Sequence, residues 1–235
     1  MKNKDDHEAL TPEEIREMMA EAYESEVAAH CDTELLCGTT LLAEAYEKSS
    51  DYAEVCRAAE FAIELLDDGN ADPAMALDAL ERIAEAVKGT PYNHLLRDLL
   101  RRLILMAARE PEVLKEYKSE AEYLLKLDIL LEPDPFDRPD KKLTEILSGM
   151  FTSKELVGII ANPSVGFLRR DPVEYTWKWE AIAGEVERKL DEMFKGERRH
   201  MGFCFRYWSA KEKLLKNYGI EWRSPGAMNP GVHFD

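Results

Sequence analysis

Apolar residues recur every three or four positions along almost the whole chain, and this is the spacing of one face of an α-helix. The clearest series is Ala76, Leu77, Leu80, Ile83, Ala84 and Val87. No stretch shows a convincing two-residue alternation of the kind that marks a half-buried strand. We therefore predict an all-α protein, an antiparallel array of about nine to ten helices, in which any strand is short and confined to the last seventeen residues.

Local start and stop signals place the individual helices. Thr11, Pro12 and Glu14 supply a capping hydroxyl, a proline at the first helical position and an acid at the third, so a helix is predicted over residues 11–30. A second helix after Asp32 is expected to loosen at Gly38, where a glycine interrupts the pattern. The remaining predicted helices span residues 41–48, 52–66, 73–88, 95–106, 111–131, 143–150, 153–161, 172–194 and 203–218.

The strongest break in the pattern lies at residues 132–140. Three prolines in nine residues cannot continue a helix, so we place the main domain boundary there. The predicted domains are an acidic helical array, residues 1–132, and an aromatic-rich helical segment, residues 133–235, which are either separate or packed as one body. The last seventeen residues contain Trp222, Met228 and Phe234 between prolines and glycines, which predicts an ordered but irregular tail.

One helix pair carries a family resemblance. Ala43 and Tyr46 on its first helix, the turn Ser50-Asp51-Tyr52, and Ala62 on its second helix have the spacing of a tetratricopeptide repeat unit. The pair resembles one partial unit of that family and covers about 30 of the 235 residues. The resemblance implies that the small residue lets the second helix approach closely while the tyrosine fills the space between the helices.

The negative charge belongs to one part of the chain. The formal net charge is −16, and residues 1–90 contain 23 acidic and seven basic residues, which already amounts to −16. Residues 133–235 carry a net charge of +1. Such an acidic chain disfavours duplex nucleic acid and anionic membrane surfaces, because both are bound largely through lysine and arginine.

Our leading functional prediction is a non-enzymatic protein-interaction protein, an adaptor or inhibitor-like module. A surface of one charge sign favours a basic protein partner through complementary steering. The predicted partner-binding residues are Glu13, Glu17, Glu21 and Glu24. The same negative charge is also explained by solubility alone.

The alternative is a small-ligand-binding protein or an enzyme whose site lies in the tryptophan-rich C-terminal segment. Its predicted ligand-binding residues are Trp177, Glu180, His200, Arg206, Trp208 and Trp222. Residues 195–223 carry a net charge of +5 interleaved with aromatic residues. That composition fits a buried helix face with lysines on its wet side, a partner-binding surface or a single-stranded nucleic-acid site, and we favour the buried face.

The sequence predicts no catalytic set, metal site or cofactor. Cys31 and Cys37 are too far apart for a paired thiolate zinc motif, and we interpret them with His30 and Cys56 as helix-core residues. Glu197 and His200 have the spacing of a di-iron ligand pair, but the sequence has no second copy of it. Cys204 beside His200 and the terminal His233 are likewise interpreted as structural.

The compartment is predicted from what the sequence lacks. It has no run of about 18 apolar residues, no signal-peptide profile at its start and only four cysteines. We therefore expect a cytoplasmic protein.

Overall fold

The computed structural model describes residues 10–23, 28–69, 71–133, 138, 140–198 and 200–234. These ranges contain twelve α-helices, one 3₁₀ turn and no strand, which confirms the all-α prediction. None of the helices within them is long and apolar enough to cross a membrane. The chain divides into two compact units, residues 1–86 and residues 87–235.

In the first unit the described residues form four helices, the last of which ends just beyond the boundary of the unit. They are α1 (Pro12–Tyr23), α2 (Ala28–Ser49), α3 (Tyr52–Asp68) and α4 (Pro73–Lys88). The predicted helix over residues 11–30 crosses residues 24–27, which lie outside the described ranges.

Helices α2 and α3 form the antiparallel hairpin expected from the sequence. The side chain of Asp51 caps α3 by accepting a hydrogen bond from the N–H of Glu54, at 3.5 Å. Ala43, Ala59 and Ala62 are fully buried. Small residues at these positions bring the two helices close together, as in a tetratricopeptide unit, although membership of that family stays a prediction.

Helix α2 runs unbroken through Gly38, so the expected loosening there is wrong. A Cβ atom at position 38 would meet the side chain of Met19 and lie 3.9 Å from a methyl group of Ile15. The glycine therefore allows α1 to pack closely against α2 and does not break α2. The contact of Met19 with Gly38 and that of Arg16 with Tyr46 make α1 antiparallel to α2.

Helix α4 runs parallel to α2. The N–H of Asp72 faces the Thr33 hydroxyl at 3.5 Å near the start of both helices. Further along, Arg82 donates two hydrogen bonds to the Glu44 carboxylate, at 2.7 and 3.0 Å. Alternate helices of the first unit therefore point the same way, as in an antiparallel array.

The described residues of the second unit form eight helices. They are α5 (Asn93–Ala107), α6 (Pro111–Glu116), α7 (Lys118–Leu130), α8 (Lys141–Met150), α9 (Ser153–Ala161), α10 (Trp177–Met193), α11 (Phe203–Asn217) and α12 (Pro225–Met228). The predicted division after residue 132 falls within this unit. Across that position the N–H of Glu132 donates to the Tyr175 carbonyl at 2.9 Å.

Two predicted helices of this unit are divided. The helix over residues 111–131 is interrupted at Tyr117, whose backbone angles (φ −93°, ψ 26°) are not helical. The helix over residues 172–194 begins as a 3₁₀ turn, Pro172–Tyr175. Thr176 is then extended, and its hydroxyl caps α10 by accepting the N–H of Trp179 at 3.2 Å. Periodicity does not detect these interruptions because the apolar residues on both sides keep helical spacing.

The C-terminal aromatic residues form a core and the tail is ordered. Trp179, Val186 and Leu190 of α10 pack with Leu215 of α11, and the tail adds Ile220 and Trp222 to the same cluster. The tail then turns back at the short α12, where Gly226 lies against the Trp208 ring. Residues 195–223, which we favoured as a buried helix face, therefore contribute residues to this core.

Ala43→Leu tests the close packing of α2 on α3. An added side chain has no space at a fully buried alanine, so unfolding should become easier by about 1–3 kcal/mol. The measurement is a urea titration followed by circular dichroism. Ala74→Leu, at an exposed position of α4, is the matched control and should change stability by less than about 0.5 kcal/mol. Equal effects of the two substitutions would contradict the packing.

A second prediction concerns acid sensitivity at α9. The Lys118 ammonium, together with hydrogen bonds from Thr152, lowers the pKa of Glu155 to about 2. Its stabilising effect is therefore complete above its ordinary pKa of about 4.3 and is lost as the pH falls towards 2. Between pH 5 and pH 2 the wild type should lose more stability than Glu155→Gln. Glu145→Gln, at an exposed position of α8, should keep the wild-type pH profile.

Candidate functional site

The N-terminus of α5 meets the first turn of α10 inside the second unit. Helix α5 starts after Pro91 and Tyr92, and Tyr92 provides no side-chain cap. The carboxylate of Glu180 takes that place, accepting the N–H of His94 at 2.9 Å and the N–H of Leu95 at 3.3 Å. A carboxylate is favoured at this position because a helix N-terminus carries unpaired N–H groups and a partial positive charge.

The same carboxylate orients the imidazole of His94. Nδ1 of His94 lies 2.6 Å from a Glu180 carboxylate oxygen, and since that oxygen accepts, Nδ1 carries the hydrogen. The His94 side chain is 2% exposed. Its Nε2 atom is buried and has no hydrogen-bond partner among the described residues.

The indole of Trp177 covers this imidazole. The two rings are stacked with centroids 3.5 Å apart and planes 20° apart. Trp177 itself is 41% exposed, so the ring lies between His94 and solvent. We refer to His94, Glu180 and Trp177 as the His94 cluster.

The His94 cluster has the parts of an acid–base pair in a closed state. A carboxylate that holds Nδ1–H leaves Nε2 as the nitrogen that can accept or donate a proton. Nε2 is buried, so a reacting group cannot reach it in this arrangement, and the stacked Trp177 ring covers one face of the imidazole. The closed arrangement also has a structural role, since it completes the start of α5.

Backbone contacts around the cluster hold its members in place. The side chain of Asn93 donates to the Glu174 carbonyl at 3.1 Å, and the N–H of Trp177 donates to the Glu132 carboxylate at 3.2 Å. On the next turn of α10, a Cβ atom at Gly184 would collide with the hydroxyl of Tyr92. A side chain at position 184 would therefore force the Tyr92 ring or α10 to shift.

Two further acids attach the tail to this region. Glu174 accepts the indole N–H of Trp222 at 2.7 Å, and Asp171 accepts the backbone N–H and the side-chain Nε of Arg223 at 2.9 and 2.8 Å. Burial by itself would raise the pKa of Asp171, but hydrogen bonds from Arg223 and Val173 outweigh it and lower that pKa. Asp171 thus holds the tail as a carboxylate.

The residues of the predicted ligand site divide into three groups. Trp177 and Glu180 do come together, around His94. Trp222 lies in the core, 6.2 Å from Trp179 between ring centroids, and Trp208 packs against Phe234 of the tail at 5.0 Å. His200 is exposed, and Arg206 forms a surface ion pair with Glu197 at 2.8 Å. The ligand site itself stays a prediction.

His94 is the member of the cluster that our sequence analysis missed. Its partner Glu180 lies 86 residues away, and no periodic pattern links the two. The available signal was local: Asn93 and His94 follow a Gly-Thr-Pro turn directly before an apolar helix. Polar residues at a helix start often hydrogen-bond with neighbouring elements.

Three of the four predicted partner-binding acids, Glu13, Glu17 and Glu21, lie on α1. Glu13 and Glu17 are exposed, and Glu13 lies 3.9 Å from Arg16. The side chain of Glu21 and the whole of Glu24 lie outside the described residues.

The candidate metal ligands are dispersed. Among the described residues, no three His, Cys, Asp or Glu side chains are grouped so that they could hold a metal ion. Cys37 is half-buried, and burial raises the pKa of its thiol. The side chains of His30 and Cys31 lie outside the described residues.

Comparison of the chain with protein-family models, with curated proteins and with solved structures found no match.

Trp177→Ala should open the His94 cluster to a chemical probe. Diethyl pyrocarbonate acylates accessible imidazole nitrogens, so in the wild type it should modify the exposed His200 and His233 but leave His94 unmodified. Removing the Trp177 indole should make His94 react, as measured by peptide mass spectrometry. Trp177→Phe keeps an aromatic ring over the imidazole and should preserve most of the protection. Equal modification of His94 in the wild type and Trp177→Ala would contradict the closed geometry.

Proposed function

We propose that this protein is a helical protein-interaction module, adaptor or inhibitor-like, whose acidic first unit binds a basic surface of a partner protein. The outer face of α1 is the proposed contact surface. We call it the α1 acidic face and define it by Glu13 and Glu17, the two predicted partner-binding acids whose side chains the structure describes.

The observation that carries the proposal is how the charge is divided between the two compact units. Residues 1–86 contain 23 acidic and six basic residues, a net charge of −17. Residues 87–235 contain 24 acidic and 25 basic residues, a net charge of +1. Solubility requires net charge on the whole protein but not its concentration in one folded unit. A concentrated field of one sign speeds encounter with an oppositely charged partner.

The packing of α1 supports the choice of surface. Ile15 is 2% exposed and Met19 lies over Gly38, so one side of α1 is committed to α2. The guanidinium of Arg16 is turned back towards Tyr46 and Glu54 of the same unit. Glu13 and Glu17 lie one turn apart on the opposite side.

Not every acid of α1 is available for a partner. Glu14 completes the helix N-terminus: it accepts the backbone N–H of Thr11 at 2.7 Å, and hydrogen bonds from Thr11 lower its pKa. The proposed interaction therefore depends on charges that do not serve the fold. Neutralising them should weaken binding without unfolding α1.

The test uses Glu13→Gln/Glu17→Gln and a fluorescein-labelled 20-residue helical peptide with lysines along one face. Two exposed charge pairs contribute about 1 kcal/mol together, so the variant should bind the peptide about five-fold more weakly in fluorescence anisotropy. Raising the salt concentration from about 0.1 M to 0.4 M should weaken wild-type binding, since the Debye length shortens.

Glu60→Gln/Glu64→Gln is the matched control. It removes two exposed carboxylates one turn apart on α3 of the same unit, so it changes the net charge equally. It should leave the affinity within about two-fold of the wild type, because a change of that size is only about 0.4 kcal/mol. The proposal is overturned if both variants lose affinity for the peptide equally. It is also overturned if the wild type shows no binding at 100 times the concentration at which a polyglutamate standard saturates with the same peptide.

A further inference from the structure

A groove runs along the solvent-facing side of α11 in the second unit. Its volume is about 490 Å³. Two rows of side chains on α11 border it, each with a spacing of four residues. One row contains Phe205, Ser209 and Lys213, and the other contains Arg206, Ala210 and Leu214. We call it the α11 groove.

The shape of the α11 groove suits a helix. Rows of side chains four residues apart are the ridges between which a ridge of a second helix packs. Ser209 and Ala210 are small and lie next to each other halfway along, so the groove stays open at its centre. From Phe205 to Asn217, α11 extends about 18 Å at 1.5 Å per residue, which matches about three turns of a partner helix.

Four of the residues that line the groove are apolar: Met193, Phe205, Ala210 and Leu214. Phe205 is 54% exposed, and Met193, which reaches the groove from the end of α10, is 58% exposed. Ala210 and Leu214 are partly buried and also pack against the C-terminal core. A grouped set of exposed large apolar side chains is typical of a protein-binding surface.

The charges of the lining select the partner. Both charged residues that line the groove, Arg206 and Lys213, are cations. Arg206 is ion-paired with Glu197, whereas the ammonium of Lys213 has no ion-pair partner in the part of the chain that the structure describes. A helix with an apolar ridge and acidic flanks is complementary to this surface.

We infer that the α11 groove binds an acidic amphipathic helix of about three turns from a partner protein. The ridge of that helix contacts Phe205, Ala210 and Leu214, and its flanking carboxylates face Arg206 and Lys213. This surface lies in the other compact unit and has the opposite charge from the α1 acidic face. Binding of an acidic helix at the α11 groove can therefore be tested independently of basic-partner binding at the α1 acidic face.

The test measures the binding of two fluorescein-labelled 16-residue helical peptides to the full chain by fluorescence anisotropy. Both carry leucines with helical spacing on one face, and the flanking positions are glutamate in one and glutamine in the other, because a lysine peptide would also bind the proposed α1 acidic face. The glutamate peptide should bind at least five-fold more tightly than the glutamine peptide. No saturable binding of the glutamate peptide, or equal binding of both, would overturn the inference.

Two variants locate the binding surface and one serves as a control. Lys213→Glu should weaken binding of the glutamate peptide at least ten-fold, and Ser209→Trp, which fills the middle of the groove, should abolish it. Lys154→Glu makes the same charge change at an exposed position of α9 and should leave binding within two-fold of the wild type. Circular dichroism checks that each variant is folded. Equal losses in Lys213→Glu and Lys154→Glu would show a general charge effect and overturn the inference, as would full binding by a folded Ser209→Trp.

Discussion

The second unit depends on the pairing of a helix N-terminus with a carboxylate from another helix. Helix α5 is buried along most of its length, and it begins without a capping side chain of its own. Glu180 satisfies two backbone N–H groups and the imidazole of His94 from the first turn of α10. One side chain therefore fixes the start of a core helix and the position of α10 together. Trp222 and Arg223 then attach the tail to Glu174 and Asp171, in the segment directly before α10.

Most helix ends follow from local chemistry and were predictable. A proline at the first turn, a capping hydroxyl or carboxylate and a glycine after the last turn all act within a few residues. Helix α9 begins and ends where predicted because Thr152 and Glu155 form a capping box and Asn162-Pro163 follows. The prediction at Gly38 was wrong because the glycine is explained by contacts with another helix, α1. A glycine that breaks a helix and a glycine that admits a neighbour look the same in one sequence.

The candidate site was only partly predictable, for a related reason. Aromatic and charged composition drew attention to Trp177 and Glu180, but it equally drew attention to Trp222, which the core absorbs. His94 is far from Glu180 in sequence and has no composition signal of its own. By contrast, the charge asymmetry was readable by counting, because it needs no knowledge of contacts. The structure sharpened that asymmetry by placing the acidic excess within a single compact unit.

The close approach of α10 to Tyr92 has an evolutionary consequence. A Cβ atom at position 184 would displace the Tyr92 hydroxyl from its present position. Replacing the tyrosine with a smaller residue would remove that restriction and leave a gap that a side chain at position 184 could fill. The two positions therefore form a coupled pair. In a library that randomises both positions, folded variants should have one of two combinations: glycine at 184 with tyrosine at 92, or a larger residue at 184 with a smaller residue at 92.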